Sequence, residues 1–268
     1  MNVLYCGDSN VEDGVAISVL SLLPHVEEPL HVFILTASIT VAEKRYVPVS
    51  SEFAHKLEAK MKERDSEHTL MLLDATDRFE AAPPIANLDT RFTPCCMLRL
   101  YADQLGCLPS RILYLDCDVV CRGDISQMAR WDMDGHEIGG VLDYYGRWLF
   151  RQRIAHLDYL NSGVLLMNLD EIARTGLLAR CREMCASEKM FMPDQSALNK
   201  LAVSKLIMPR CYNEQRKLQD DTVLQHFSTS FRVFPVPKVV TVKPWQPDRM
   251  HTVLKLHEYD DVLEAYAR

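Results

Sequence analysis

Asp116 and Asp118 flank one cysteine at the end of the apolar run Arg111-Ile112-Leu113-Tyr114-Leu115. On an extended segment, residues two apart point to the same side, so both carboxylates can aim at one point. Two carboxylates held together repel unless a cation sits between them. Hard divalent ions such as Mg²⁺ or Mn²⁺ suit those oxygens and usually take further ligands from a substrate phosphate. A bare D-x-D is common, and a solvated acidic turn is its bland explanation. The continuous apolar strand feeding this one favours the ion.

Three other segments place polar groups beside strand or helix signals. Tyr159-Leu160-Asn161-Ser162-Gly163 leads into the apolar run Val164 to Asn168, which alone reads as a turn before a core strand. Asp194 and Gln195 stand at a helix start, where a capping carboxylate is expected for structural reasons alone. His226-Phe227 ends an apolar run, and Lys243-Pro244-Trp245 follows it. A lone histidine in such a place is more often a satisfied residue than a ligand. The first strand is not followed by G-x-G-x-x-G, and no G-x-x-x-x-G-K-[ST] occurs, so dinucleotide and P-loop fingerprints are both absent.

Strands are predicted over Val3–Cys6, Leu30–Thr36, Thr69–Leu73 and Ile112–Leu115, with helices over Val15–Leu23, from an N-cap at Ser50, and over Cys95–Leu105. That alternation argues for an α/β fold, a mostly parallel sheet with helices on both faces. Ligands of such sheets sit beyond the carboxyl ends of the strands. The later half is less regular. Ile138–Leu142, Val164–Asn168, Val223–Phe227 and Phe231–Val236 read as strands, and Leu177–Glu188, Asp194–Ala202 and Tyr259–Ala267 as helices. With no linker or repeat, residues 1–268 read as one domain whose front half, to about residue 120, binds a nucleotide.

Of the 268 residues, 48% are apolar and the formal net charge is -7, enough for one full core and too acidic for a protein that grips nucleic acid by its phosphates. No apolar stretch is long enough to span a bilayer and no leader pattern opens the chain, which predicts a cytoplasmic protein. Nine cysteines, odd in number and irregularly spaced, do not form a disulfide framework. The pairs Cys117/Cys121 and Cys181/Cys185 lack partners at zinc-finger spacing.

In this order, a Y-x-G-D-x-N-like start, apolar-D-x-D-apolar, N-S-G-V-L-L-x-N-L, D-Q-x-x-L-N, H-F and K-P-W resemble glycosyltransferase family 8, from Val3 to Trp245. Bacterial lipopolysaccharide galactosyl- and glucosyltransferases belong there, with glycogenin more distant. The resemblance implies a GT-A fold with a Rossmann-like sheet. It also implies retaining transfer from a UDP-sugar (UDP-glucose or UDP-galactose) and a Mn²⁺ or Mg²⁺ ion. Carried over by position, Asp116 and Asp118 match metal ligands, with Cys117 between them in the donor site, and His226 matches the third ligand. Imidazole beside two carboxylates favours Mn²⁺. Asp8 and Asn10 match the positions that hold uracil and ribose, Arg99 a basic residue near the donor, and Lys243 the lysine on the diphosphate. Asp143, Asn161 and Asp194 match donor-sugar positions, and Gln195 the residue nearest the β-face of the anomeric carbon. Two departures stand out. The stretch from His226 to Lys243 is longer than the family's usual loop and lacks its glycine, leaving His251 and His257 as substitute ligands. Cys95-Cys96 also replace small hydroxyl residues.

The expected mechanism is front-face attack by an acceptor hydroxyl, with Gln195 stabilising the cationic sugar. Asp143 or Asp194 would serve a covalent double displacement instead. The acceptor is a saccharide, a glycolipid or a protein. Rival readings are a HAD-like phosphohydrolase using Asp116 and Asp118 with Asp220-Asp221 as a metal pair, a non-catalytic nucleotide-sugar binder, and a primer that glycosylates one of its own ten tyrosines. From Gln246 onward no polybasic patch is present to hold anionic lipid. A peripheral contact with the inner face of a membrane stays open beside the cytoplasmic reading.

Overall fold

The computed structural model describes residues 1–90, 92–144, 158–232 and 238–267. Its strands are β1 (Asn2–Cys6), β2 (His31–Thr36), β3 (Ile39–Val41), β4 (Lys44–Tyr46), β5 (Thr69–Asp74), β6 (Arg111–Leu115), β7 (Val119–Cys121), β8 (Ile138–Leu142), β9 (Leu160–Asn168), β10 (Lys205–Ile207), β11 (Leu224–His226), β12 (Ser230–Arg232) and β13 (Lys238–Val240). Seven of them form the central sheet in the order β10-β8-β9-β6-β1-β2-β5. The pairs β5-β2, β2-β1, β1-β6 and β8-β10 are parallel, while β9 runs antiparallel to both β6 and β8.

Alternation along each strand sends side chains to opposite faces. Leu4, Leu35, Tyr114 and Leu165 enter one core with Leu98, Tyr101, Leu178 and Leu198. Val3, Tyr5, Ile34, Leu113 and Leu166 enter the other with Val15, Val19 and Leu22 of α1 (Glu12–Leu22) and with Leu57 and Met61 of α2 (Ser51–Arg64). Helices thus cover both faces of a mostly parallel sheet, as the alternation of apolar runs predicts. Ser50 caps α2, its Oγ accepting from Phe53 N at 3.1 Å. Among the described residues, no helix is long and apolar enough to cross a membrane.

Several boundaries differ from the sequence expectation. Helix α1 begins at Glu12 and is buried nearly all round, because sheet residues pack on one side and a third cluster of Val120, Phe227, Val242 and Met250 meets its Ile17 on another. The segment Pro94–Gln104 is wound as 3₁₀ turns, with Cys96 N on Thr93 O and Leu105 N on Ala102 O at 3.2 Å. Strand β9 starts four residues early, so Asn161-Ser162-Gly163 lies inside it instead of forming a turn before it. The expected strand Phe231–Val236 is β12 to Arg232, paired with β13, and residues 233–236 lie outside the described residues. The three-residue strands β3, β4 and β10 are too short to leave a periodic signal.

Candidate active site

The reversal of β9 creates the site. Strands β1 and β6 are parallel neighbours, so their following loops, Gly7–Asn10 and Asp116–Asp118, leave the sheet at the same edge. Because β9 runs the other way, its amino end meets the carboxyl end of β6, with Leu115 opposite Val164. Asp116 N then donates to Gly163 O at 2.8 Å. Two-residue alternation along β6 puts Tyr114 under Asp116, and its hydroxyl donates to Asp116 Oδ1 at 2.6 Å.

Arg99 joins the segments around this point. Buried at 3% exposure, it donates from Nη2 to Asp116 Oδ1 at 2.9 Å and from Nη1 to Ser162 O. Its Nε lies 3.2 Å from Asp194 Oδ2, and the guanidinium stacks 4.0 Å over the Tyr114 ring. A planar fork with several donors suits such a junction. Burial pushes the Asp194 carboxyl above its usual range, and Arg99 offsets this only in part.

His226 arrives by a separate two-stranded pairing. Strand β11 runs antiparallel to β7 with His226 opposite Val119, and Phe227 N donates to Asp118 O at 2.9 Å. His226 Nε2 consequently lies 3.2 Å from Asp118 Oδ1 and 3.7 Å from Asp116 Oδ2. Gly163 makes room for the ring. A Cβ there would stand 2.2 Å from His226 Cε1 and 2.9 Å from Asp116 Oδ2. Lys243 Nζ donates to Asp118 Oδ2 and, at 3.1 Å, to Phe227 O. The long stretch after His226 returns through the β12–β13 hairpin, with Thr229 and Thr241 hydroxyls 3.0 Å apart at its base. Its extra length therefore does not carry Lys243 away. Burial opposes the charge on Asp118, yet Lys243 and His226 hold its carboxyl well below the usual range. Burial likewise works against the charged ring of His226, but Asp118, and then Asp116, raise its basicity above the ordinary histidine value.

Asp116, Asp118 and His226 fit a divalent ion. Their ligand atoms all lie within 4.8 Å of one another, and neighbouring ligands at Mg²⁺-like bond lengths stand about 3 Å apart. Two carboxylates and an imidazole suit the Mn²⁺ class. The other ring nitrogen of His226, Nδ1, is buried and makes no hydrogen bond among the described residues, so the ring's polar contacts lie on the acidic side.

A cavity of about 310 Å³ opens over this group. Its lining includes Arg99, Asp116, Asp118, His226 and Lys243, together with Asp143, Asn161, Asp194 and Gln195. Asp143 Oδ2 accepts from Asn161 Nδ2 at 3.1 Å and from Gln195 Nε2 at 2.8 Å. Gln195 Oε1 accepts from Ser162 N at 3.0 Å. Asn199, one turn beyond Gln195 on helix Pro193–Leu201, clasps Leu160 by its backbone N–H and C=O, both at 2.7 Å. Asp194 is not the cap expected from its place: Met192 holds that position, and Asp194 sits in the first turn facing Arg99.

Other expected residues fall elsewhere. Asp8 and Asn10 are not among the cavity's lining residues and close on each other, Asp8 Oδ1 accepting from Asn10 N at 3.1 Å and Oδ2 from its Nδ2 at 3.2 Å. Cys117 does not line it either, and its carbonyl lies where a Cβ on Gly14 would come within 2.6 Å, as would Trp245 Cζ3. His251 and His257 group with Asp260, and Asp221 pairs with Arg210 on the surface. The structure adds Tyr114, Ser162, Gly163 and Asn199. Tyr114 was reachable by two-residue alternation from Asp116, whereas the Asn199 clasp has no sequence signal beyond its place four residues after Gln195.

The sequence pattern of glycosyl transferase family 8 matches residues 2–246. A lipopolysaccharide 1,2-glucosyltransferase of Escherichia coli is 24% identical over 97% of this chain and 83% of its own. A lipopolysaccharide 1,3-galactosyltransferase of Salmonella typhimurium is 24% identical over 91% of this chain and 72% of its own. Among solved structures, the galactosyltransferase LgtC in complex with donor and acceptor sugar analogs superposes with a TM-score of 0.65 at 17% identity, covering 100% of this chain and 95% of that one. That likeness shows the GT-A fold.

Proposed function

Since the chain belongs to glycosyltransferase family 8, we propose that it moves a hexose, glucose or galactose, from a UDP-sugar to an acceptor hydroxyl with retention, using Mn²⁺ or Mg²⁺. The whole chain, 1–268, is read as one GT-A domain with the nucleotide side in its front half. The observation carrying this reading is the convergence of Asp116, Asp118 and His226 on a cavity also lined by Asp143, Asn161 and Gln195.

Asp116, Asp118 and His226 would hold the ion, which when bound supplies charge stabilisation for the departing diphosphate. Arg99 and Lys243 add fixed positive charge in the lining of the same cavity, where low local dielectric strengthens it. Gln195 is held at both ends, by Asp143 and by Ser162, and a neutral amide is a poor nucleophile. It serves as an oriented dipole beside the cationic sugar. The acceptor hydroxyl attacks from the face the diphosphate leaves, and its proton passes to the departing phosphate oxygen. Asp194 is committed to Arg99 and positions that guanidinium. Nine unpaired thiols support a reducing compartment.

Hydrolysis of a UDP-sugar panel with Mn²⁺, with Mg²⁺ and with chelator tests the reading. Release of UDP from one hexose donor, abolished by chelator and by Asp116→Asn, is expected. Chelator-insensitive release, or wild-type release by Asp116→Asn, overturns the metal assignment.

A further inference from the structure

His251 and His257, which do not line the catalytic cavity, meet at one carboxylate after the K-P-W segment in the chain. His251 Nε2 lies 2.7 Å from Asp260 Oδ1 and His257 Nδ1 lies 3.2 Å from Asp260 Oδ2. The two imidazoles stack with centroids 4.2 Å apart and planes 19° apart. Their ligand atoms and the carboxylate all lie within 4.8 Å of one another.

The backbone is bent to bring them together. Met250–Leu254 is a π-helical turn, and Lys255 ends it with φ of 57°, a left-handed conformation costly for a side-chain-bearing residue. Leu256 N folds back onto Met250 O at 3.2 Å, and Asp260 N onto His257 O at 3.3 Å. Without that reversal, the two rings would not face one carboxylate.

We propose that His251, His257 and Asp260 form an accessory site for an imidazole-seeking transition-metal dication, with Zn²⁺ as its representative. Two imidazoles and one carboxylate are a Zn²⁺ donor set, and a water completes four-coordination. The donor set differs from that of Asp116, Asp118 and His226, where two carboxylates favour harder ions. The site joins the π-helical turn to the first residue of the closing helix Asp260–Ala267. That helix reaches α1 through Tyr266, whose hydroxyl donates to Asp13 Oδ1 at 2.6 Å, and α2 through Lys60 on Ala265 O at 3.1 Å. An ion here staples the closing helix to the body.

The test is Zn²⁺ titration of the full chain by calorimetry, with hydrogen exchange over residues 258–267, for wild type, His257→Ala and Asp260→Asn. All three chains keep Asp116, Asp118 and His226, so zinc taken there cancels in the comparison. His257 is 64% exposed, so its truncation leaves the core untouched. Wild type is expected to bind one equivalent more than either variant. At free Zn²⁺ about ten times the dissociation constant, exchange in the closing helix slows about tenfold in wild type alone. A lost equivalent without slowed exchange keeps the site and overturns the staple. Equal stoichiometry in all three chains overturns the site itself.

Discussion

At the scale of residues, Gly163 sets how closely the histidine and the acidic pair approach. Any side chain there meets His226 and Asp116 at once, and the strand on either side leaves little room to give. Gly163→Ala is expected to cost about 1–3 kcal/mol in denaturant unfolding, as overpacking does. It should also cut transfer on the order of a hundredfold by displacing the ring about an ångström. UDP release with saturating Mn²⁺ checks this, and wild-type turnover would remove Gly163 from the site's construction. Gly14 plays the same part at the Cys117 carbonyl and Trp245. The D-x-D was legible because one apolar strand precedes it. Its partner His226 was not legible from spacing, since only the β7–β11 register brings it there.

Elements explain what single residues cannot. A reversed β9 delivers Asn161, Ser162 and Gly163 to the edge where the parallel strands end, and no local pattern encodes that reversal. Its apolar run is equally compatible with either direction. Asn199 holds the first residue of β9, so Asn199→Ala leaves the Leu160 N–H and C=O buried without partners. The expected cost is about 1–3 kcal/mol per group, read as a lower urea midpoint, together with weaker transfer as the Gln195 carbonyl loses the Asn199 Nδ2 donor it accepts from at 2.9 Å. An unchanged midpoint would mean the clasp is dispensable. The closing helix has its own pH signature. Burial, then the Asp13 carboxylate, pushes the Tyr266 phenol up to about 12, against about 10 when unfolded. A raised folded pKa stabilises below the unfolded value and loses that contribution as pH rises through the folded one. The difference in urea midpoint between wild type and Tyr266→Phe should therefore be full at about pH 9 and shrink between about pH 10 and 12. A difference that stays constant over that range would detach Tyr266 from the docking of this helix.

For the whole molecule, composition alone was a poor guide to the ligand. The net charge of -7 argues against nucleic acid, yet part of the acidity is gathered at Asp116 and Asp118, where Arg99, Lys243 and His226 face it. The thiols are similarly local in character. Cys107 is exposed, while the other eight are buried or half-buried. Burial raises the thiols of Cys95, Cys96, Cys117 and Cys181 far from reactive values. A disulfide reagent should thus modify one thiol rapidly in the native protein, and Cys107→Ser should remove that phase with UDP release unchanged. Rapid loss of several thiols would contradict the burial.

The ion pair between Asp118 and Lys243 spans 125 residues of chain. A ribosome adding about 5–20 residues per second needs about 6–25 s to pass from one to the other. Throughout that interval the nascent chain carries its acidic pair without the lysine, and for most of it without His226 or the strand that aligns it. Products of stalled synthesis would hold the β1–β6 half of the sheet and a D-x-D with neither of these later partners. The site is therefore completed only once Lys243 has been made, so turnover reports translation through Lys243 more faithfully than folding of the front half does.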